Sequence, residues 1–345
     1  MGASAGGREA LVVTQKWGAD YDGTIAYYPA AGGIPMLVEF GRNSRALAAP
    51  GAYPNQAKQT LLYKATIAAC DAKDGVSDGI LSNPAGCNFN VASLRCASGT
   101  DEGDSCLSAA QIAALKAVNS ALQMKYHLAS GERDMPGYNI FSGVDLTAPT
   151  SGLGRVAPAA MPSAPTQSLQ DKFYDIFVRG WLMRDLQADS LAFDPENPGP
   201  YSARVSALSA EMQASQADLS TFQKHGGKLI LVHGNDDALV PVGWSAAYYR
   251  NVVRTMGAAK VDGFLRFYTV PGYGHGSGTF MVDWDSLSVL DAWVEHETPP
   301  DHVVASDLNP ATPGRTRPLC QYPAWPRYRG TGDSTTAINL SCVTH

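Results

Sequence analysis

A serine that attacks an acyl carbon needs three things beside it: a base to take its proton, a carboxylate to orient that base, and amide donors for the oxyanion it creates. Gly2-Ala3-Ser4-Ala5-Gly6 has the G-x-S-x-G form that places a serine on a sharp strand-to-helix turn. Ser4 is the candidate nucleophile and the amide of Ala5 the candidate oxyanion donor. The flanking glycines are expected because the turn strains the serine backbone and brings neighbouring chain close. The pattern alone is weak: Gly75-Val76-Ser77-Asp78-Gly79 repeats it after an acidic stretch rather than a strand, and is rejected. For the acid, Asp236 and Asp237 compete in His233-Gly234-Asn235-Asp236-Asp237-Ala238-Leu239-Val240-Pro241. Asp237 is preferred for its place in Asp-x-x-Val-Pro after a strand and Gly turn; either could instead cap a helix beginning near Val242. For the base, His275 lies between glycines in Pro271 to Gly278, just after a strand. His233 ends a strand itself and is read as supporting the acid loop through a hydrogen bond.

These three side chains must be carried by elements that converge. Thr24 to Tyr28 is a short apolar run ended by Pro29 and reads as a buried strand. Lys228 to Gly234 and Phe264 to Val270 read as two more strands. Ala10 to Trp17, Trp244 to Met256 and Ser286 to His296 read as helices. Alternating strands and helices predict a parallel sheet, and nucleophile, acid and base in that order, each after a strand, is the α/β-hydrolase order. Between about residue 50 and 221 the chain is irregular and rich in Pro, Ser, Gly and Ala, with helical stretches such as Ala109 to Gln123 and Leu208 to Ser215. This block reads as an inserted lid, with a surface loop over 148–170. The expected organisation is therefore a core over 1–50, a lid over 51–221 and the rest of the core over 222–345, with the tail from Arg315 to Cys342 polar and looped.

Composition bounds the rest. The chain has 345 residues, 45% hydrophobic and 17% charged, enough apolar material for a large core. With 26 Lys+Arg against 32 Asp+Glu the net charge is −6, and no basic run stands out, which argues against nucleic acid or an anionic membrane as partner. No apolar stretch approaches a membrane-spanning length. Six cysteines permit 15 connectivities. They fall into three sequence-local pairs in loop-rich segments, Cys70–Cys87, Cys96–Cys106 and Cys320–Cys342, without C-x-x-C. As disulfides these would imply a secreted or periplasmic protein, although Met1 to Glu9 has neither a basic nor an apolar leader region. Asp71, Asp74 and Asp78, spaced by Gly75 and Gly79, offer oxygen ligands suited to Ca²⁺. The spacing is not that of an EF-hand, and a solvated acidic turn is the alternative.

Taken together these stretches resemble the tannase and feruloyl esterase family. The match runs from Gly2 to Leu11 with Tyr21-Asp22-Gly23, through Ala69 to Cys87, Asp218-Leu219-Ser220 and Gly226 to Ile230. It continues with His233 to Pro241, Tyr248-Tyr249, Pro271 to Gly278 and Asp291 to Glu295, and ends with Arg317 to Cys320, Tyr328, Gly330, Gly332 and Cys342. The resemblance implies an α/β-hydrolase core with a large inserted lid, and a triad of Ser4, Asp237 and His275. It implies a structural Ca²⁺ held by Asp71, Asp74 and Asp78 side chains and the carbonyls of Val76 and Ile80. It also implies the three local disulfides. Two departures stand out. The family's cysteines immediately before the nucleophile and after the catalytic histidine are Ala3 and Gly276 here, so the disulfide that joins them is missing. The family also has strands before the turn, whereas Met1 lies three residues before Ser4, so the sheet is expected to be N-terminally incomplete.

The resulting expectation is a serine carboxylester hydrolase acting on esters of aromatic acids of feruloyl, galloyl or terephthalate-monoester type. Phe173, Phe177 and Trp181 would form an acyl slot, with Arg179 facing an acid or phenol group, unless these aromatics are simply the core face of a lid helix. The rival is a catalytically silent, calcium-stabilised binding protein derived from a hydrolase, or a fragment needing a partner chain.

Overall fold

The computed structural model describes residues 1–148, 151–161 and 165–344. The loop expected over 148–170 falls partly on 149–150 and 162–164, outside those residues. The chain divides into two compact units, one of residues 1–31, 69–87 and 214–345, the other of residues 32–68 and 88–213.

The first unit is built on a four-stranded sheet with the order Gly2–Ala3, Gly23–Tyr27, Lys228–Gly234, Leu265–Val270, every neighbouring pair parallel. The two central strands are buried almost throughout, as continuous apolar runs in a parallel sheet must be. In register, Ile25 faces Ile230 and Val232 faces Tyr268. Ile25, Ile230, Val232, Tyr268 and Val270 join Leu290 and Trp293 of the helix Ser286–His296 and Ile80 of the acidic loop in one apolar cluster. Helix Ala5–Lys16 starts at the turn after Ser4, five residues earlier than the apolar periodicity alone predicts. The remaining helices of the sheet layer lie close to expectation at Val242–Met256 and Ser286–His296.

The tail differs from the loop expected. Thr316–Pro318 pairs antiparallel with Val304–Asp307, and Trp325–Tyr328 with Leu340–Val343. Their polar residues are consumed by specific partners: Asp307 receives the Arg315 guanidinium and the Thr312 hydroxyl. Buried Arg317 pairs with Asp78 of the acidic loop. The first of these pairs hides from a hydropathy reading because ion pairs of Asp307 and Arg317 occupy buried positions along it.

The second unit is helical. Gly33–Ala48 is buried on nearly all sides and packs against Ala109–Asn119, Leu169–Asp175 and Ser202–Glu211. Ala109–Asn119 opens with a capping box between Ser108 and Gln111 and stops short of the predicted end at Gln123, because Leu122–Gln123 pairs as a strand with Asp134–Met135. Leu208 to Ser215 is likewise displaced, the helix running over Ser202–Glu211.

The units therefore do not follow the expected boundaries. Helix Gly33–Ala48, expected in the core block, belongs to the second unit. Residues 69–87, expected in the lid, belong to the first, because Ile80 and Leu81 are buried there and Cys70–Cys87 closes the loop. All six cysteines are paired, Cys96–Cys106 within the second unit and Cys320–Cys342 across the tail hairpin. Each bridge is worth roughly 3 kcal/mol through the unfolded chain. No helix among the described residues is long and apolar enough to cross a membrane.

Glu39, in the middle of Gly33–Ala48, is fully buried, and neither carboxyl oxygen has a hydrogen-bond partner. Burial pushes its pKa up to about 8, opposed by Arg42, whose Nη2 lies 3.8 Å from Oε1. An unfolded glutamate titrates near 4.3, so between about pH 4.3 and 8 the folded chain holds a proton that the unfolded chain has lost. Stability therefore falls as pH rises through that window. Glu39→Gln is expected to flatten the fall, gaining on the order of 3 kcal/mol over the wild type between pH 5 and pH 8. Denaturant titrations at the two pH values check this.

Candidate active site

Ser4 stands between strand Gly2–Ala3 and helix Ala5–Lys16 with φ 55° and ψ −118°, a conformation that non-glycine residues seldom adopt. Two backbone bonds tie the turn down: the Ser4 amide donates to the Tyr27 carbonyl at 3.0 Å, and the Ala30 amide donates to the Ser4 carbonyl at 3.0 Å. The crowded glycines are Gly2 and Gly7. A Cβ on Gly2 would lie 2.2 Å from the Gly6 carbonyl oxygen, and one on Gly7 would lie 2.6 Å from the Tyr27 carbonyl oxygen. A Cβ on Gly6 would meet nothing within 4 Å, so the second glycine of the G-x-S-x-G pattern is not the one that packing requires. Ala5 is the first residue of the helix, so its amide is one of the N-terminal donors without an intrahelical acceptor.

The acid turn follows strand Lys228–Gly234. Asp237 is buried, and its Oδ1 accepts the amides of Leu239 and Val240, both at 2.8 Å. Its Oδ2 lies 2.8 Å from His275 Nδ1 and 3.5 Å from His233 Nε2. Burial alone would push the carboxyl pKa up, but the bonds from His233 and His275 outweigh it and hold Asp237 at about 2. Asp237 rather than Asp236 thus reaches the imidazole. His233 Nε2 also lies 3.0 Å from the Val240 carbonyl, which can only accept, so Nε2 carries the proton and Nδ1 accepts the Ser245 hydroxyl at 2.8 Å. The buried His233 therefore braces the acid turn.

His275 follows strand Leu265–Val270 in the glycine-rich loop. Its Nε2 is 2.9 Å from Ser4 Oγ. A carboxylate only accepts, so Nδ1 carries the proton that bonds Asp237, and Nε2 is left to accept from the serine hydroxyl. The loops that carry acid and base touch: the Asp236 amide donates to the Tyr273 carbonyl at 3.0 Å. All three side chains gather at the C-terminal ends of the parallel strands, where open α/β sheets place their sites.

The acidic loop meets the expected cation site only in part. Asp71 and Asp74 are buried, and burial raises both carboxyl pKa values. Asp71 Oδ1 is buried without a partner, while its Oδ2 accepts the Gly79 amide and Asp74 accepts the amides of Val76 and Ser82. An orphaned buried carboxylate oxygen fits a cation. Asp78 does not fit as cleanly, because its Oδ2 is already paired with Arg317. Sequence reasoning missed Arg317 as a partner, since nothing local marks it.

The expected acyl slot is corrected. Phe177 and Val178 are fully buried within the second unit, on a π-helical stretch Ile176–Met183. Arg179 is spoken for as well: Nη1 bonds Asp175 at 2.9 Å, and Nη2 bonds the Leu186 carbonyl. Phe173 and Trp181 are exposed on the opposite turns. The run thus divides by helical position, its inward side chains forming core.

A family model described as tannase and feruloyl esterase matches residues 1–343. An uncharacterized esterase of Agrobacterium fabrum is 38% identical over 353 residues, covering 99% of this chain and 63% of its own. The mono(2-hydroxyethyl) terephthalate hydrolase of Piscinibacter sakaiensis is 30% identical over 392 residues, with coverages of 99% and 63%. The crystal structure of feruloyl esterase B from Aspergillus oryzae superposes with a TM-score of 0.81 at 26% identity, over 99% of this chain and 67% of that one. The chain thus spans 63% of the length of these two curated relatives. An α/β-hydrolase core with an inserted second unit, a serine–histidine–aspartate relay at the strand ends and a match along nearly the whole sequence lead to one assignment: this chain belongs to the tannase and feruloyl esterase family.

Proposed function

We propose that the protein is a serine carboxylic ester hydrolase acting on esters of aromatic acids. The observation that carries this reading is the continuous relay from Ser4 Oγ through both His275 nitrogens to Asp237. His275 Nε2 takes the Ser4 proton as Oγ attacks the ester carbonyl. The ionised Asp237 holds the histidine tautomer and stabilises the imidazolium. The Ala5 amide donates to the oxyanion, and His275 returns the proton to the departing alkoxide. Water, deprotonated by the same nitrogen, then attacks the acyl carbon, and His275 returns that proton to Ser4 Oγ as the acid leaves. Two of the named relatives are a feruloyl esterase and a terephthalate-monoester hydrolase by their descriptions, which favours a planar aromatic acyl group here. Labelling of Ser4 by a fluorophosphonate, with hydrolysis of methyl ferulate, methyl gallate or mono(2-hydroxyethyl) terephthalate, tests the reading. Folded protein that neither labels nor turns over any of the three would refute it.

We further propose that Ca²⁺ binds the acidic loop through Asp71 and Asp74, with the Val76 and Ile80 carbonyls, and that Asp78 divides between the ion and Arg317. Without a cation, the raised pKa values of Asp71 and Asp74 mean that folding loses stability as pH climbs through the carboxylate range. Calcium should cancel that loss. Adding 1 mM Ca²⁺ to chelator-treated protein at pH 7 is expected to raise the thermal midpoint by about 4–8 °C, and Asp74→Asn to abolish most of the rise. The three disulfides favour an oxidising compartment, periplasmic or extracellular.

A further inference from the structure

Beside the relay lies an aromatic side chain that the chemistry above does not use. Tyr28 follows strand Gly23–Tyr27 and has φ 32°, a strained value for a residue with a side chain. Such conformations persist where the surroundings over-determine them. Here the Tyr28 amide donates to the Val232 carbonyl at 2.6 Å, and Pro29 follows in the chain. The consequence is that the ring is aimed at the base. Its centroid is 4.7 Å from that of His275, with the planes tilted by 58°. On another side it meets Tyr273 edge-on at 5.8 Å and 67°. Its hydroxyl also closes over Gly276, where a Cβ would stand 3.2 Å from Oη.

The His275 loop needs such a wall. Residues 272, 274, 276 and 278 are all glycine, and of the side chains between them only Tyr273 joins the apolar core, so the loop gives the His275 ring little support of its own. The Asp237 bond pins one edge of the imidazole but leaves it free to tilt about that bond, because the ring torsion of histidine is broad. A tilt carries Nε2 away from Ser4 Oγ. We propose that Tyr28 is a positioning residue that holds the His275 ring in line with Ser4 Oγ, and so sets turnover rather than substrate affinity. This rests on the reading of Ser4 as nucleophile.

The test uses Tyr28→Ala and Tyr28→Phe in the full chain with p-nitrophenyl acetate, a substrate too small to depend on an aromatic acyl slot. Tyr28→Ala is expected to lower kcat about tenfold to a hundredfold, the scale of a small misplacement of a reacting group, with KM held within about twofold. Tyr28→Phe keeps the ring and should restore kcat to within about threefold of the wild type. In protein carrying nitrogen-15-labelled histidine, the His275 Nε2 resonance, whose shift follows its hydrogen bond to Ser4 Oγ far more than a neighbouring ring current, should move in Tyr28→Ala and stay in place in Tyr28→Phe. Tyr28→Leu repeats the measurement if the alanine variant does not melt cooperatively. An unchanged kcat, a rise in KM alone, or an unmoved His275 Nε2 resonance would overturn the proposal. If the wild type fails to label at Ser4 with a fluorophosphonate, the esterase reading falls by itself, and the resonance shift still decides whether Tyr28 holds the ring.

Discussion

Replacing Ser4 with alanine is expected to lower kcat on an aromatic ester by about 10⁶-fold, the loss seen when a serine nucleophile is removed from an intact relay. The fold should survive. Ser4 contributes no side-chain cap to helix Ala5–Lys16, and the backbone bonds from Tyr27 and Ala30 that hold the turn do not involve its hydroxyl. Alanine at φ 55° carries the same kind of strain as serine, so the turn gains no new penalty. The hydroxyl it loses bonded a part-exposed imidazole, which water can satisfy instead. The thermal midpoint is therefore expected to stay close to the wild type while fluorophosphonate labelling vanishes. A variant that keeps turnover within an order of magnitude would place the nucleophile elsewhere.

Asp237→Asn should cost about 10⁴-fold in kcat, and the reason is the proton count on His275. Oδ1 already accepts the amides of Leu239 and Val240, so the asparagine must present its amide nitrogen where Oδ2 was. That nitrogen only donates, and it faces His275 Nδ1. Nδ1 is thereby forced to accept, the imidazole proton moves to Nε2, and the nitrogen facing Ser4 can no longer take a proton. His233 supplies a second check, because its Nε2 also faces Oδ2. The same substitution has a stability signature. Asp237 is held at about 2, below the unfolded value near 3.9, so the unfolded chain binds the extra proton between these pH values. The contribution of Asp237 to folding is fully present above about pH 4 and lost as pH falls toward 2. The stability gap between wild type and Asp237→Asn should therefore narrow across that range. A gap that is flat with pH, or a variant that retains activity, would show that this carboxylate does not orient the base.

The site was more legible than its supports. Asp237 and His275 could be singled out because each sits in a short turn directly after an apolar strand, and Ser4 because glycines flank it in the G-x-S-x-G form. The disulfide pairs were legible for a similar reason, since each partner lies a short loop away. The role of Gly7 was hidden, because its crowding comes from Tyr27 and Pro29 on the next strand and not from its own neighbours. Phe177 and Arg179 looked like binding residues only while the helix that carries them had no partner. Once Leu169–Asp175 packs on Gly33–Ala48, the inward half of that run becomes core and Arg179 is engaged within its own segment.

Sequence by itself determined the strand–turn pattern, the order along the chain of the serine, aspartate and histidine that meet, and which cysteines are near enough to join. These depend on residues a few positions apart, and local backbone preference is enough to express them. Tertiary structure alone decided that residues 69–87 pack with the sheet and Gly33–Ala48 with the helices, that Arg317 answers Asp78, and that Tyr28 lies on His275. Each of these is a meeting of side chains from distant parts of the chain. Such contacts arise from how whole elements pack, and no window of sequence contains both halves.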